Sequence, residues 1–111
     1  MKQGDLYLTK FDPSFGREYQ GTRPALIIQN EQMTKHSNLV TLMPLSKKLA
    51  NKLPSDVFVP KDAKNKLLHD SIIKVQHIYS YDKKRTLHKI GEVGSPTLRR
   101  VRGYLRKHFQ L

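Results

Sequence analysis

The apolar runs of this chain are short, and nearly every one ends in proline or glycine turn chemistry, which confines the fold to short strands. Residues 4–11 alternate as a half-buried strand does, with Leu6 and Leu8 on one face, until Asp12-Pro13-Ser14-Phe15-Gly16 breaks the pattern. Pro24 introduces Ala25-Leu26-Ile27-Ile28, dense enough for a central strand. Leu39–Met43 predicts a third strand ending at Pro44, and Asp56–Val59 a fourth stopped by Pro60. The lysine-rich residues 61–69 read as a loop. Ser71–Tyr81 predicts one long fifth strand with Ile73, Val75, His77, Tyr79 and Tyr81 on a common face, and Ile90–Val93 a brief sixth.

Only the end of the chain carries a helical period. Ser95 suits the N-cap and Pro96 the first helical position, and Leu98, Val101, Leu105 and Phe109 form an apolar stripe flanked by Tyr104. Gly103 within it costs about 1 kcal/mol relative to alanine, so the helix needs a sheet to dock on. At 111 residues there is material for one hydrophobic core, and residues 1–111 are expected to form a single domain. The pattern predicts a mainly β protein with one terminal helix, as a strongly bent barrel or an open sheet.

Charge narrows the partners. Lysine and arginine number 21 against 9 acidic residues, a formal +12, with the excess heavier after residue 55. Such an imbalance opposes compaction by self-repulsion and points to an anionic partner. There is no cysteine, hence no disulfide and no thiolate metal site. No apolar run reaches the ~18 residues of a membrane span, and the N-terminus lacks the apolar segment of a signal peptide, so a cytoplasmic location without membrane contact is expected.

The chemistry available is that of Arg, Lys, His and hydroxyl groups. The five histidines are scattered, no carboxylate cluster suggests a hard-cation cage, and no nucleophilic-serine or glycine-rich phosphate motif occurs, so no metal and no cofactor is expected. Gly21-Thr22-Arg23-Pro24 is the most suggestive constellation. Pro24 fixes its own φ and biases Arg23 towards an extended backbone, which fits a guanidinium aimed at phosphate, a solvated side chain or an ordinary structural ion pair. Ser46, just past a strand end beside Lys47 and Lys48, fits either a phosphate-binding hydroxyl or a turn former. Tyr79 and Tyr81 suit base stacking and core packing equally.

In order and spacing these segments resemble the MazF/PemK family of bacterial toxin–antitoxin toxins. The resemblance is carried by Gly4-Asp5-Leu6-Tyr7-Leu8, Asp12-Pro13, Gly16-Arg17-Glu18 and Gly21-Thr22-Arg23-Pro24-Ala25-Leu26-Ile27-Ile28. It continues in Leu42-Met43-Pro44-Leu45-Ser46 and in Asp70-Ser71-Ile72-Ile73 through Asp82-Lys83-Lys84-Arg85, over nearly the whole chain. It implies a small SH3-like barrel of about five to seven strands with a C-terminal helix, a homodimer, and a metal-independent, sequence-specific endoribonuclease (an mRNA interferase) acting on single-stranded RNA. With the RNA 2′-OH attacking its own 3′ phosphorus, the expected products are a 2′,3′-cyclic phosphate and a 5′-OH. A cognate antitoxin with an acidic tail would neutralise it, and operator DNA would be met only through the antitoxin complex.

By the same resemblance, Arg23 matches the catalytic arginine, and Ser46 stands in the place of a catalytic threonine. RNA contacts fall to Arg17, Glu18, Tyr19 and Thr22 around the first loop, to Lys47, and to Lys74, Gln76, His77 and Tyr79 on the late strand. The chain departs from the pattern where some members carry arginine and aspartate at the positions of Lys74 and Gln76. It departs again where His77-Ile78-Tyr79-Ser80 replaces Gln-Ile-Arg-Thr. A non-catalytic nucleic-acid-binding autorepressor and a CcdB-like gyrase poison are the alternative functions.

Overall fold

The computed structural model describes residues 1–111. Its strands are β1 (Asp5–Lys10), β2 (Thr22–Ile27), β3 (Leu39–Ser46), β4 (Val57–Val59), β5 (Ser71–Ile73), β6 (Tyr79–Asp82) and β7 (Thr86–Glu92). Helix α1 (Glu31–Lys35) follows β2, and α2 (Ser95–Phe109) ends the chain. The strands form one antiparallel sheet in the order β4-β5-β3-β2-β1-β7, with β6 added to β3. The expected class, mainly β with a terminal helix, is the one found. The sheet is barrel-like but not closed by a ladder between its ends.

Strand β3 organises the molecule and runs through Pro44 instead of ending before it. On one edge it pairs with β2; on the other its two halves pair with β5 and β6. Between the pairs Leu45↔Ile73 and Leu42↔Tyr79, three steps along β3 are matched by six along its partner. The single long strand expected over 71–81 is therefore two strands with a three-residue surplus between them. Pro44 supplies the reason. Its carbonyl accepts from the Lys74 amide at 3.0 Å, but proline has no N–H to return the bond. The Lys74 carbonyl instead accepts from the His77 amide at 2.9 Å, closing a turn that leaves the sheet and rejoins it at Tyr79.

The surplus is odd, so it reverses which face each side chain takes. Ile73 and Val75 enter the main core with Leu6, Leu26, Met43, Leu45 and Val101. Tyr81 packs on the opposite face with Phe11, Ala25, Ile27, Val40 and Leu42. The one aromatic–aliphatic face expected over 73–81 is thus divided between the two sides of the sheet.

Three other boundaries moved. Strand β2 starts at Thr22, so Arg23 and Pro24 lie within it, and β7 begins four residues before the expected Ile90. Helix α1 was not expected; it is a single turn capped by the Asn30 side chain, which accepts from the Gln32 amide at 2.8 Å. In α2 the cap is Gly94, and Ser95 is already helical. Val101 is fully buried, with Leu98, Tyr104 and Leu105 packed beside it, while Phe109 lies exposed beyond the edge of the core. No helix is long and apolar enough to cross a membrane.

The gap between the sheet ends is bridged by the 61–69 segment. The Glu92 amide donates to the Lys64 carbonyl at 3.3 Å, and Gly91 lies so close that a Cβ there would stand 2.7 Å from that carbonyl oxygen and nearer still to Asn65.

Candidate functional site

Arg23 is held from behind by the loop that precedes it. Its Nε donates to the Gln20 carbonyl at 3.0 Å, and its guanidinium carbon lies 4.7 Å from the centre of the Tyr19 ring. Its terminal nitrogens make no hydrogen bond within the chain, and none of the five ion pairs includes it. Of the readings open from sequence, the structural ion pair is therefore excluded, and a phosphate-directed and a solvated guanidinium both fit. A guanidinium fixed through Nε with both Nη groups free is set up for bidentate binding of an oxyanion.

The Tyr19 ring meets His77 edge-on at 4.7 Å. His77 lies 6.2 Å from Tyr79, with Nδ1 3.4 Å from the phenol oxygen, and Tyr79 lies 5.4 Å from Tyr81. Arg85 covers the Tyr81 ring at 4.5 Å. The result is a file of four rings with an arginine at each end. It exists because the turn after Lys74 swings His77 to Tyr19 and delivers Tyr79 and Tyr81 to this face. Burial, and then the Lys74 ammonium, push the His77 imidazole below its ordinary 6.5, with Asp56 partly opposing, so it is neutral at pH 7. Burial and the Glu18 carboxylate raise the Tyr79 and Tyr81 phenols, which stay protonated donors.

Arg17, Glu18, Tyr19, Arg23, Lys74 and His77 line one open cavity of about 380 Å³. The fold thus gathers six of the residues singled out from sequence. Lys74 enters it with its charge already matched: Nζ lies 2.5 Å from Asp56 Oδ2 in a pair that is almost fully buried. Gln76 is exposed on the turn and lines neither this cavity nor its neighbour. Thr22 and Lys47 face a second cavity, of about 580 Å³, whose wall also includes Arg23.

Ser46 is only 6% exposed, and its hydroxyl accepts from the Lys48 amide at 3.1 Å, the turn-forming contact open from sequence. Its own O–H has no acceptor in the chain. The β2–β3 ladder ends at Ala25↔Pro44, and Ser46 pairs instead with Ile72 of β5 and lines neither of the cavities that Arg23 borders. Of the two readings of Ser46, the turn-forming contact is the one present in the structure. No group of three His, Asp or Glu side chains converges as a metal shell would require.

Sequence reasoning missed Gln20, whose backbone holds Arg23, Asp56, which neutralises Lys74, and the lysine and histidines of the second cavity. Nothing local marks them. Their roles come from contacts 3 residues away through a backbone oxygen and 18 residues away through a buried pair.

A curled sheet with a docked helix, presenting an unpaired arginine in a basic, aromatic-lined cleft, defines a small barrel-like protein with a cleft chemically suited to an anion. Residues 2–109 match the family of PemK-like, MazF-like toxins of type II toxin–antitoxin systems, and the chain belongs to that family. It is 33% identical over 102 residues to an endoribonuclease MazF of Staphylococcus saprophyticus, spanning 91% of this chain and 84% of that protein. Among solved structures it is similar to MazF from Deinococcus radiodurans, at 25% identity and a TM-score of 0.88 over 100% of this chain and 97% of the other. A MazE–MazF complex from the same organism shares the fold at 22% identity, with a TM-score of 0.79 over 100% and 96% of the two chains.

Proposed function

We propose that this chain is a toxin that cuts single-stranded RNA, cellular mRNA included, at preferred sequences, without metal, as a cytoplasmic homodimer held in check by a cognate acidic antitoxin. The observation that carries the reading is the guanidinium of Arg23, clamped by Gln20 and Tyr19 and left without a carboxylate. A net charge of +12 fits both the RNA and an acidic antitoxin tail competing for one positive field. The similar proteins named as an endoribonuclease and as a MazE–MazF complex support the activity and the partner.

In the reaction the 2′-oxygen of the substrate bonds to the adjacent phosphorus while the bond to the 5′-oxygen breaks. One proton leaves the 2′-OH and one reaches the leaving oxygen, giving a 2′,3′-cyclic phosphate and a 5′-OH. The nucleophile is tethered to its target, so positioning and charge stabilisation suffice. Arg23 holds the non-bridging oxygens as negative charge grows, and the Ser46 O–H donates to the same phosphate. His77, neutral in the same cavity, is the group placed to accept or return a proton. Arg17, Glu18, Tyr19, Thr22, Lys47 and Tyr79 line the path of the strand, with Gln76 exposed on the turn outside both cavities and Lys74 a support beneath.

The test is cleavage of a defined RNA in EDTA, beside the same RNA with one 2′-deoxy nucleotide at the cut. Wild type should cut only the first. Arg23→Ala should lower kcat by about 10²-fold or more, the loss typical of removing one charge-stabilising donor. Full activity in folded Arg23→Ala, or cleavage of the deoxy substrate, sinks the proposal.

A further inference from the structure

The cavity on the far side of Arg23 has a chemistry of its own. Its floor is apolar: Leu8, Pro24, Leu45 and Ile90 on the main-core face of the sheet, and Leu67 from the 61–69 segment. Around the floor stand Lys47, Lys66, His69 and His88, with Thr22 and Ser71, and no carboxylate lines it. Its volume of about 580 Å³ is that of a site for a small organic group. Leu68 on the rim is 84% exposed, leaving apolar surface open beside the cations.

The wall carrying Lys66 and His69 is rigid although it reads as a lysine-rich loop. Asn65 is buried, its Oδ1 accepts from the amides of Asp62 and Leu67 at 3.0 Å each, and its Nδ2 donates to the Pro60 carbonyl at 2.9 Å. Asp62 caps the amides of Lys64 and Asn65 in return. Next to Asn65, Lys66 is held at φ +56°, a left-handed conformation that costs a lysine energy and persists only where surrounding contacts enforce it. Contact with Gly91 wedges the same segment against β7. Such a strained, braced lysine at the lip of an apolar, acid-free cavity is built to meet an anion attached to a flat apolar group.

Arg23 supplies the link to the first cavity, because it lies in the wall that the two share. A phosphate held there has one neighbouring nucleoside on each side of it. One side offers the aromatic file from Tyr19 to Tyr81, and the other offers this cavity. We propose that the second cavity is a nucleotide subsite of the RNA track. It takes the base adjacent to the phosphate at Arg23 against Leu8, Leu45 and Ile90, with His69 and His88 reading its edge and Lys66 meeting the next phosphate. This rests on the endoribonuclease reading for the identity of the strand.

Binding and cleavage measured separately test the two ideas apart. Fluorescence anisotropy would use a dye-labelled RNA oligonucleotide made uncleavable by one 2′-deoxy residue at the cut, with a single abasic residue on one side of the cut or the other. Removing the base on one side should weaken binding to wild type by about tenfold, within the range for a base lost from a ring-lined site. His69→Ala should bind the intact oligonucleotide as weakly as wild type binds the abasic one, and should be indifferent to the abasic change. Lys66→Asn, whose side chain tolerates the left-handed backbone, should reduce the salt slope of binding by about one and leave base sensitivity intact. Thermal melts of both variants should match wild type.

If wild type binds both abasic oligonucleotides as well as the intact one, or if His69→Ala keeps its base sensitivity, the subsite is refuted and the endoribonuclease reading is untouched. Base-sensitive binding without cleavage of the 2′-hydroxyl substrate refutes the enzymatic reading and leaves the subsite. A shift in oligomeric state on His69→Ala or Lys66→Asn, seen by sedimentation, would assign the cavity to a second copy of the chain and overturn the proposal.

Discussion

Lys74 is the residue at which a substrate role and a structural one make opposite predictions. Replacing it with methionine leaves the Asp56 carboxylate buried with Oδ2 accepting only from the Leu53 amide at 2.9 Å, and with Oδ1, which already lacks a partner, still unpaired. Breaking a buried pair from one side costs about 3–5 kcal/mol, because a charge is stranded away from water. For a domain of this size that is a fall in Tm on the order of 15 °C. Asp56→Asn alone should also destabilise, since it leaves the buried ammonium without a counter-charge, with only the new amide oxygen and the Asn51 carbonyl 3.4 Å away as neutral acceptors. The double variant Lys74→Met with Asp56→Asn removes both charges and keeps an acceptor for Leu53, so it should recover to within about 1–2 kcal/mol of the parent. Urea unfolding followed by circular dichroism, at one fixed protein concentration, measures all four corners of the cycle. A loss below about 1 kcal/mol in Lys74→Met, or a double variant as unstable as the singles, would refute the assignment. So would an unchanged stability accompanied by a salt slope for RNA lowered by about one, which would place that charge on a phosphate.

Two further expectations concern backbone space and pH. Gly91→Ala should destabilise by about 1–3 kcal/mol or more, because the new methyl meets the Lys64 and Asn65 carbonyls and neither can swing away. Gly103→Ala, in open space on α2, should gain about 1 kcal/mol, and thermal melts of the pair would check both signs. Burial and Lys74 hold the His77 imidazole below 6.5 in the folded chain, so its contribution to stability is complete above pH 6.5 and is lost as pH falls through the folded value. The stability of wild type relative to His77→Gln should therefore decline from pH 7 to pH 5, and an NMR titration of the His77 ring should show a midpoint below 6.5. A midpoint at or above it would show that the ring is solvated and the aromatic file loose.

Much of the architecture was legible because it rests on local chemistry. Proline and glycine punctuation delimited most strands to within a few residues, and the spacing of Leu98, Val101 and Leu105 gave both α2 and its buried face. Arg23 was legible too, since a Gly-Thr-Arg-Pro sequence before an apolar run fixes where an extended arginine must stand. The break in the late strand was not. Ser71–Tyr81 alternates without interruption, and nothing within it signals a turn. The signal lies in Pro44, whose missing amide acts on a strand some thirty residues away only after the two are paired.

The sequence by itself determined a small basic β protein with one docked helix and an extended arginine at the entry to its most apolar strand, because strand length, helical period and the backbone before a proline depend on neighbours along the chain. Tertiary structure alone decided which charges are free. Lys74 and Arg23 look alike in sequence, yet one is buried against Asp56 and the other is braced from behind with its outer nitrogens open. A cation can bind substrate only if the fold supplies no counter-ion, and that depends on which distant carboxylate packing brings within reach.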